Sequence, residues 1–293
     1  MATIGFIGQG FIGKNYADDF ETRGLSVTRY SLEEPHVKNK DNIKDCDIVF
    51  IAVPTPTTPE GFDDSIVRSA LSLVGKGRIA VLKSTMQPGK TEAIQDAFPD
   101  LLILHSPEFL REATAAYDAA HPERNIIGMA RDTDSHRAAA EQVLAVLPPA
   151  PYQLICTARE AEYVKYAGNA YLFLKVVFAN LIYDASAKDA CDWEVIRQAL
   201  GADSRIGPSH LGVVHTSGHP GAVPGRGAGG HCLIKDFAAL RHLYEKLHPD
   251  DHAGVSVLKA LECKNNKLLI DSKKDLDLLK GVYGDNPESV CGS

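Results

Sequence analysis

The chain has 293 residues, 44% of them hydrophobic and 24% charged, an ordinary globular composition that excludes disordered and fibrous classes and is long enough for two domains with cores. A formal net charge of -7 sets up no global positive field for nucleic acid or an anionic membrane, so an anionic ligand needs local cations. The N-terminus lacks a basic, cleavable leader, and no unbroken apolar run approaches the ~20 residues that span a bilayer. The six cysteines, with no C-x-x-C pair among them, read as reduced thiols in a cytoplasm.

Thr3 to Ile7 is a strand pattern that runs into Gly8-Gln9-Gly10-Phe11-Ile12-Gly13, and Lys14 to Thr22 continues as a helix. Strand, G-x-G-x-x-G and helix in that order form a dinucleotide fingerprint: Gly8 makes the turn, Gly10 admits a pyrophosphate, and Gly13 lets helix pack on strand. The second strand, Leu25 to Tyr30, leads into Ser31-Leu32-Glu33 rather than the acidic residue that holds the ribose of NAD. Ser31 with Arg29 tolerates a 2′-phosphate while Glu33 can reach a ribose; NAD and NADP both stay open, with NAD expected.

Asp47 to Pro54 is the continuous apolar run of a strand buried on both faces. The loop after it, TPTTPEGFDD, cannot be helical, because Pro54, Pro56 and Pro59 each restrict the residue before them. It lies at the carboxyl edge of the sheet, where ligands bind. A helix from Asp64 to Leu73, a strand from Ile79 ending in Lys83-Ser84-Thr85, a helix from Thr91 to Ala97 and a strand from Leu101 to His105 follow. Ser106-Pro107-Glu108-Phe109-Leu110-Arg111-Glu112 then falls on the same edge, and strands Asn125 to Ala130 and Tyr152 to Cys156 bracket a helix from Ser135 to Leu147.

From Ala158 to about Asp189 a helical pattern of roughly 30 residues, about 45 Å long, runs almost without a breaker. Glu162, Lys165, Asn169 and Leu172 share one of its faces, and Val176, Val177, Phe178, Leu181 and Ile182 add apolar surface suited to a subunit interface or a deep core. A short helix, Trp193 to Leu200, precedes a long loop opened by Ser204-Arg205-Ile206-Gly207-Pro208-Ser209-His210. That loop leads to Gly225 to Asp236, GRGAGGHCLIKD, where four glycines and an alanine before His231 let the backbone pass close to another molecule. Cys232, beside backbone donors, Lys235 and Asp236, can be held as a thiolate that attacks a carbonyl carbon. His210, His215, His219 and His231 have no compact metal-ligand spacing, so no metal is expected. Helices from Phe237 to Leu247 and Ser256 to Leu269 precede a charged stretch, Lys273 to Lys280.

The expected fold class is α/β, an N-terminal Rossmann doubly wound parallel sheet over residues 1–156 followed by an all-α domain with a long central helix over residues 157–283, and a frayed tail at 284–293. The motifs GFIGQGFIG, VFIAVPTPTT, KSTMQPG, SPEFLREATA, EYVKYAGNAY, SRIGPSH and GRGAGGHCLIKD, in this order over about residues 3 to 270, resemble the UDP-glucose/GDP-mannose dehydrogenase family. The resemblance implies a homodimeric enzyme that oxidises the C6 alcohol of a nucleotide-linked hexose to a carboxylate in two NAD-dependent steps. Carried onto this chain, it implies cofactor contacts at Gly8, Gly10, Phe11, Ile12, Gly13, Ser31, Pro54, Thr55 and Thr85. Substrate contacts fall at Phe109, Leu110, Arg111, Lys165, Asn169, His210, Gly229 and Lys235. Cys232 becomes the nucleophile that captures the aldehyde and passes through a thioester, Lys165 and Asn169 the pair that stabilises the oxyanion, and Asp236 a group that holds a water or Lys165. Glu108 and Thr85 activate or place the hydrolytic water, with Glu112 in support.

Two departures stand out. Ser106 replaces the family's asparagine, and the chain ends at Ser293, before the expected third, nucleotide-binding domain. A one-step β-hydroxyacid dehydrogenase shares Lys-x-x-x-Asn but has no use for Cys232, and a non-catalytic NAD-binding scaffold is the remaining alternative.

Overall fold

The computed structural model describes residues 2–58, 61–219 and 221–292; Pro59 of the proline loop lies outside them. The chain divides into two units, Met1–Pro56 with Asp63–Lys165, and Thr57–Phe62 with Tyr166–Ser293.

In the first unit, short runs rich in Ile, Val, Leu and Phe form strands with every residue buried: β1 (Ile4–Ile7), β3 (Ile48–Ile51) and β6 (Ile79–Leu82). With β2 (Val27–Tyr30), β7 (Leu102–His105), β8 (Arg124–Met129) and β9 (Tyr152–Thr157) they build one seven-stranded sheet of order β2-β1-β3-β6-β7-β8-β9. All neighbours are parallel except β7 and β8, which run antiparallel. Helices α1 (Phe11–Thr22), α2 (Ser65–Leu71), α3 (Lys90–Ala97) and α5 (Asp134–Val146), with the 3-10 segment Val37–Asp45, supply the crossovers between parallel strands, and α4 (Ala115–Ala120) joins the antiparallel β7 and β8. β2 lies on one side of β1 and β3 on the other, so the chain reverses direction across the sheet at β1. The carboxyl ends of β1 and β3 therefore form the switch point at which open α/β sheets bind ligands. Phe6, Phe20 and Phe50 pack α1 onto these strands, with ring centroids 4.9–5.4 Å apart.

The division falls inside the long helix α6 (Ala158–Lys188), between Lys165 and Tyr166, rather than at residue 156. Within the proline loop, β4 (Thr57–Thr58) and β5 (Gly61–Phe62) pair as a small hairpin that belongs to the second unit and touches the helices Gly230–Leu247 and Leu276–Tyr283. That unit also holds α7 (Trp193–Ala202), the strand pair β10 (Val214–His215) and β11 (Gly225–Arg226), α8 (Gly230–Leu247), α9 (His252–Ser272) and α10 (Leu276–Tyr283). Phe173 of α6 stacks on Phe237 of α8 with centroids 3.9 Å apart, and Val176, Val177 and Ala228 complete that cluster.

Three expectations need correction. Helix α8 begins at Gly230, so Cys232 lies in its first turn and not in the loop; Gly229 in extended conformation provides the entry that a helix start needs. The tail is not frayed: Cys263 and Cys291 form a disulfide, Val290 is buried, and Asn266 donates to the Pro287 carbonyl at 2.8 Å. That pair also contradicts six reduced thiols and removes the compositional argument for a cytoplasmic setting. Among the described residues, α6 is long and apolar enough by length and composition alone to cross a membrane. Small and apolar residues interleaved with scattered polar ones make it so without any unbroken run. The buried polar groups along α6 make protein contacts: Glu162 with Thr91, Lys175 with Ser209 and Asn180 with Arg226.

Candidate active site

At the switch point, Gly8 has φ +92 and an added Cβ would collide with the Ala52 carbonyl; at Gly13 it would collide with the carbonyl of Gly8. Both glycines are thus required by the turn and by helix-on-strand packing. Gly10 differs, because a Cβ built there meets nothing within 4 Å. It caps α1, whose first turn carries no acidic residue and no side-chain cap, so backbone donors and the positive end of the helix dipole face an anion's place. These residues fit a dinucleotide pyrophosphate. Phe11 is exposed and Ile12 packs against the core.

Beyond β2, Arg29 donates to Asp18 at 2.7 Å and to Glu21 at 2.7 and 2.9 Å, so its charge is matched by two carboxylates and is poorly placed to serve a 2′-phosphate. Ser31 Oγ donates to the Glu33 carbonyl at 2.9 Å. This arrangement favours NAD over NADP. The loops after β3 and β6 are laced together: Thr55 Oγ1 donates to the Thr85 carbonyl at 2.9 Å, and Ser84 Oγ to the Val53 carbonyl at 2.7 Å. Pro54, Thr55 and Thr85 therefore share the carboxyl edge that the sequence predicts.

After β7, the buried Glu108 meets the buried Lys165 of α6. Lys165 Nζ donates to Glu108 Oε1 and to the Glu108 carbonyl, each at 2.7 Å, while Leu110 N donates to Glu108 Oε2 at 2.8 Å. Burial raises the Glu108 carboxyl, but the Lys165 charge and these hydrogen bonds outweigh it and hold the group below the usual carboxylate range. Lys83, fully buried, donates to Ser106 Oγ at 3.1 Å and lies 4.1 Å from the centroid of the Tyr16 ring. The Phe109 ring carries the Arg124 guanidinium at 3.8 Å and Lys165 Nζ at 5.6 Å. Leu110 packs on the core, Arg111 pairs with Asp118, and Glu112 is exposed in a short 3-10 turn, Glu112–Thr114.

Glu162, one turn before Lys165 on α6, is engaged elsewhere. Its carboxylate accepts from Gly89 N, Thr91 N and Thr91 Oγ1 at 2.6–2.8 Å, which makes it a remote cap for α3. Burial nevertheless raises it to about 7.

In the second unit, Cys232 is an exposed thiol in the first turn of α8, and Asp236 follows one helical turn later, fully buried. Asp236 accepts from Asn169 Nδ2 at 2.6 Å and from Lys235 Nζ at 2.5 Å, so its partners are Asn169 and Lys235. His210 is exposed with φ +64, on a loop that Lys175 braces through the Ile206 carbonyl at 2.9 Å. At Gly229 a Cβ would collide with the carboxylate of Asp275.

Sequence reasoning missed the residues that hold this loop. Asn265 clamps Ala228 through both its backbone groups, at 2.6 and 3.0 Å, and Arg226 donates to Asn180 and Asp184. Lys83 was visible as a charge ending an otherwise apolar strand, and Asn265 as an amide in an apolar helical pattern. No group of three or more His, Cys, Asp or Glu among the described residues could hold a metal ion.

Residues 35–146 match the model of the UDP-glucose/GDP-mannose dehydrogenase family NAD binding domain, and residues 159–267 that of the family's central domain. UDP-glucose 6-dehydrogenase YwqF of Bacillus subtilis is 32% identical over 251 residues, covering 81% of this chain and 53% of that protein. The chain spans about half the length of the curated relatives it matches. A UDP-glucose dehydrogenase structure from Pyrobaculum islandicum superposes with a TM-score of 0.77 at 28% identity, over 91% of this chain and 68% of the other. Mycobacterium tuberculosis 3-hydroxyisobutyrate dehydrogenase shares the fold, with a TM-score of 0.68 at 15% identity over 97% of this chain and 98% of that one. Two consecutive domain models, over residues 35–146 and 159–267, establish that the chain belongs to the UDP-glucose/GDP-mannose dehydrogenase family and has that family's NAD-binding domain.

Proposed function

We propose that the protein is an NAD-dependent dehydrogenase that carries the C6 alcohol of a nucleotide-linked hexose to the carboxylate through a covalent intermediate on Cys232. The observation that carries this reading is an exposed thiol in the first turn of α8, one turn from a buried carboxylate that is itself bonded to Asn169. A single oxidation of an alcohol needs no such thiol. An aldehyde does, because its carbon cannot release a hydride until a nucleophile has added to it.

NAD, when bound at Gly8–Gly13, supplies the hydride acceptor. The chain's own groups do the rest. Lys165 and Asn169, four apart on α6, stabilise the oxygen on which negative charge develops, first in the alkoxide and then in the tetrahedral adduct. The Cys232 thiolate adds to the aldehyde carbon and its C–S bond survives the second oxidation as a thioester. Water then cleaves that bond and regenerates the thiol. Glu108, held as carboxylate by Lys165, accepts the proton of this water, and Thr85 positions it. Asp236 fixes the rotamers of Asn169 and Lys235, so it is a positioning residue rather than a reacting one. Phe109, Leu110 and Arg111, with Gly229, His210 and Lys235, are the proposed substrate contacts, and Glu112 supports the Glu108 loop. The enzyme is a homodimer that uses the exposed stripe of α6.

Stoichiometry tests the reading. With UDP-glucose and then GDP-mannose as probes, two NADH formed per sugar acid are expected. One NADH per substrate identifies a one-step dehydrogenase, and none with intact NAD binding identifies a scaffold. Cys232→Ser is expected to cut acid production at least about 100-fold, as loss of an acting nucleophile does; full acid production in that variant rejects the covalent route.

A further inference from the structure

The glycine-rich run before Cys232 is shaped by a dipeptide from the far end of the second unit. Lys274 and Asp275 belong to a stretch that reads as solvated charge, yet they are 0% and 5% exposed. They occupy the tight turn between α9 and α10, where Lys273 and Asp275 have φ +56 and +51, a left-handed conformation that costs a non-glycine residue energy and persists only when surrounding contacts hold it. The contacts are specific. Asp275 accepts from Gly230 N at 2.7 Å, from His219 Nε2 at 2.9 Å and from Ser217 Oγ. Lys274 Nζ donates to the Gly227 carbonyl at 3.0 Å and lies 3.0 Å from His215 Nε2.

The glycines follow from this approach. A Cβ at Gly225 would come within 2.7 Å of Lys274 Cβ, and one at Gly229 would overlap the Asp275 carboxylate. The molecule to which the bare backbone makes way is thus the chain itself. Gly230 N–H is the first amide of α8, and the N-cap Gly229 has no side chain to satisfy it. Asp275 does so from 45 residues away and leaves Cys232 in a closed helical turn.

We infer that Lys274 and Asp275 form a positioning clamp for Cys232, fixing residues 215–219 and 225–230 so that the thiol is presented from a fixed first turn of α8. The pair is charge-balanced. Burial raises Asp275, but hydrogen bonds from Ser217, His219 and Gly230, with the charge of Lys274, outweigh it and keep the carboxylate ionised. Removing the carboxylate leaves three donors and one buried cation without it.

The inference rests on Cys232 being the nucleophile, and the test has one arm that does not. The full chain is compared with Asp275→Ala, with Asp275→Asn, which keeps an acceptor and tolerates the left-handed turn, and with Ser217→Ala, which removes one bond without stranding a charge. In hydrogen exchange, the segment 229–234 is expected to exchange at least tenfold faster in Asp275→Ala. A smaller increase is expected in Ser217→Ala, with recovery to within about threefold of the parent in Asp275→Asn and no change in α3. Unchanged exchange at 229–234 overturns the clamp, whatever the reaction. In turnover with UDP-glucose and NAD, Asp275→Ala is expected to lose at least tenfold in kcat with the KM for NAD within twofold, and Asp275→Asn to regain most of it. Alkylation of Cys232 by iodoacetamide, referenced to the exposed Cys191, should not slow. A kcat that stays at the parent value, or alkylation that falls in step with kcat, rejects positioning as the role. A parent chain without turnover rejects the proposed reaction and leaves the exchange arm to decide the clamp.

Discussion

Lys83 is a buried cation without a carboxylate among its hydrogen-bond partners. It ends an all-apolar strand, is 2% exposed, and has Ser106 Oγ at 3.1 Å and the Tyr16 ring face as its neighbours. Burial pushes its ammonium down to about 7, with Glu108 partly opposing that and Lys165 adding to it. Between that value and the ordinary lysine value of about 10.4, the unfolded chain binds a proton that the folded chain does not. Stability attributable to Lys83 is therefore lowest below pH 7 and rises with pH across this window. Lys83→Met is expected to raise the melting temperature, and by more at pH 6 than at pH 9.5. Calorimetry at the two pH values checks this, and an equal gain at both refutes the desolvation account. Glu108 carries the same sign of linkage in the acid range. Its folded value is depressed, so its contribution is present above the unfolded carboxylate value and is lost as acid protonates it.

Among the elements of the second unit, α6 and α8 are joined by a stacked aromatic pair and a hydrogen bond. Phe173 and Phe237 are 1% and 2% exposed with rings tilted by only 13°, and the Asn169–Asp236 hydrogen bond lies one helical turn away along α6. Phe173→Ala should cost about 3–5 kcal/mol in urea unfolding, as large-to-small changes of buried aromatics do. Phe173→Leu should cost less. A loss below about 1 kcal/mol for the alanine variant would mean that the site collapses without penalty and that the stack does not set the helix register. The disulfide from α9 to the tail closes a span of 28 residues, which in the chain-entropy picture stabilises by roughly 3–4 kcal/mol.

On the scale of the whole molecule, the question is what α6 does with its outward face. Tyr171, Leu174, Phe178 and Leu181 are 57%, 38%, 52% and 44% exposed, and their spacing of three and four residues places them on one stripe. A stripe of large apolar residues facing water is expensive unless a second surface covers it. Light scattering is expected to give a dimer, and Phe178→Asp with Leu181→Asp a monomer; a monomeric parent chain removes the claim.

Local pattern alone determined the Rossmann half and the long helix: period, glycine spacing and apolar runs foretold β1 through α1, the carboxyl-edge loops and α6. Those features depend on neighbours a few residues away, where backbone sterics and burial act directly. Tertiary structure decided the rest. Contacts beyond the local pattern made Glu162 a cap for α3, matched Arg29 with Asp18 and Glu21, and joined Cys263 to Cys291. Contacts of the same kind made Lys274 and Asp275, plain charges in the sequence, the partners around which the glycines before Cys232 are bent. A buried charge must find its counterpart wherever the fold brings one, and no local periodicity encodes which residue that will be.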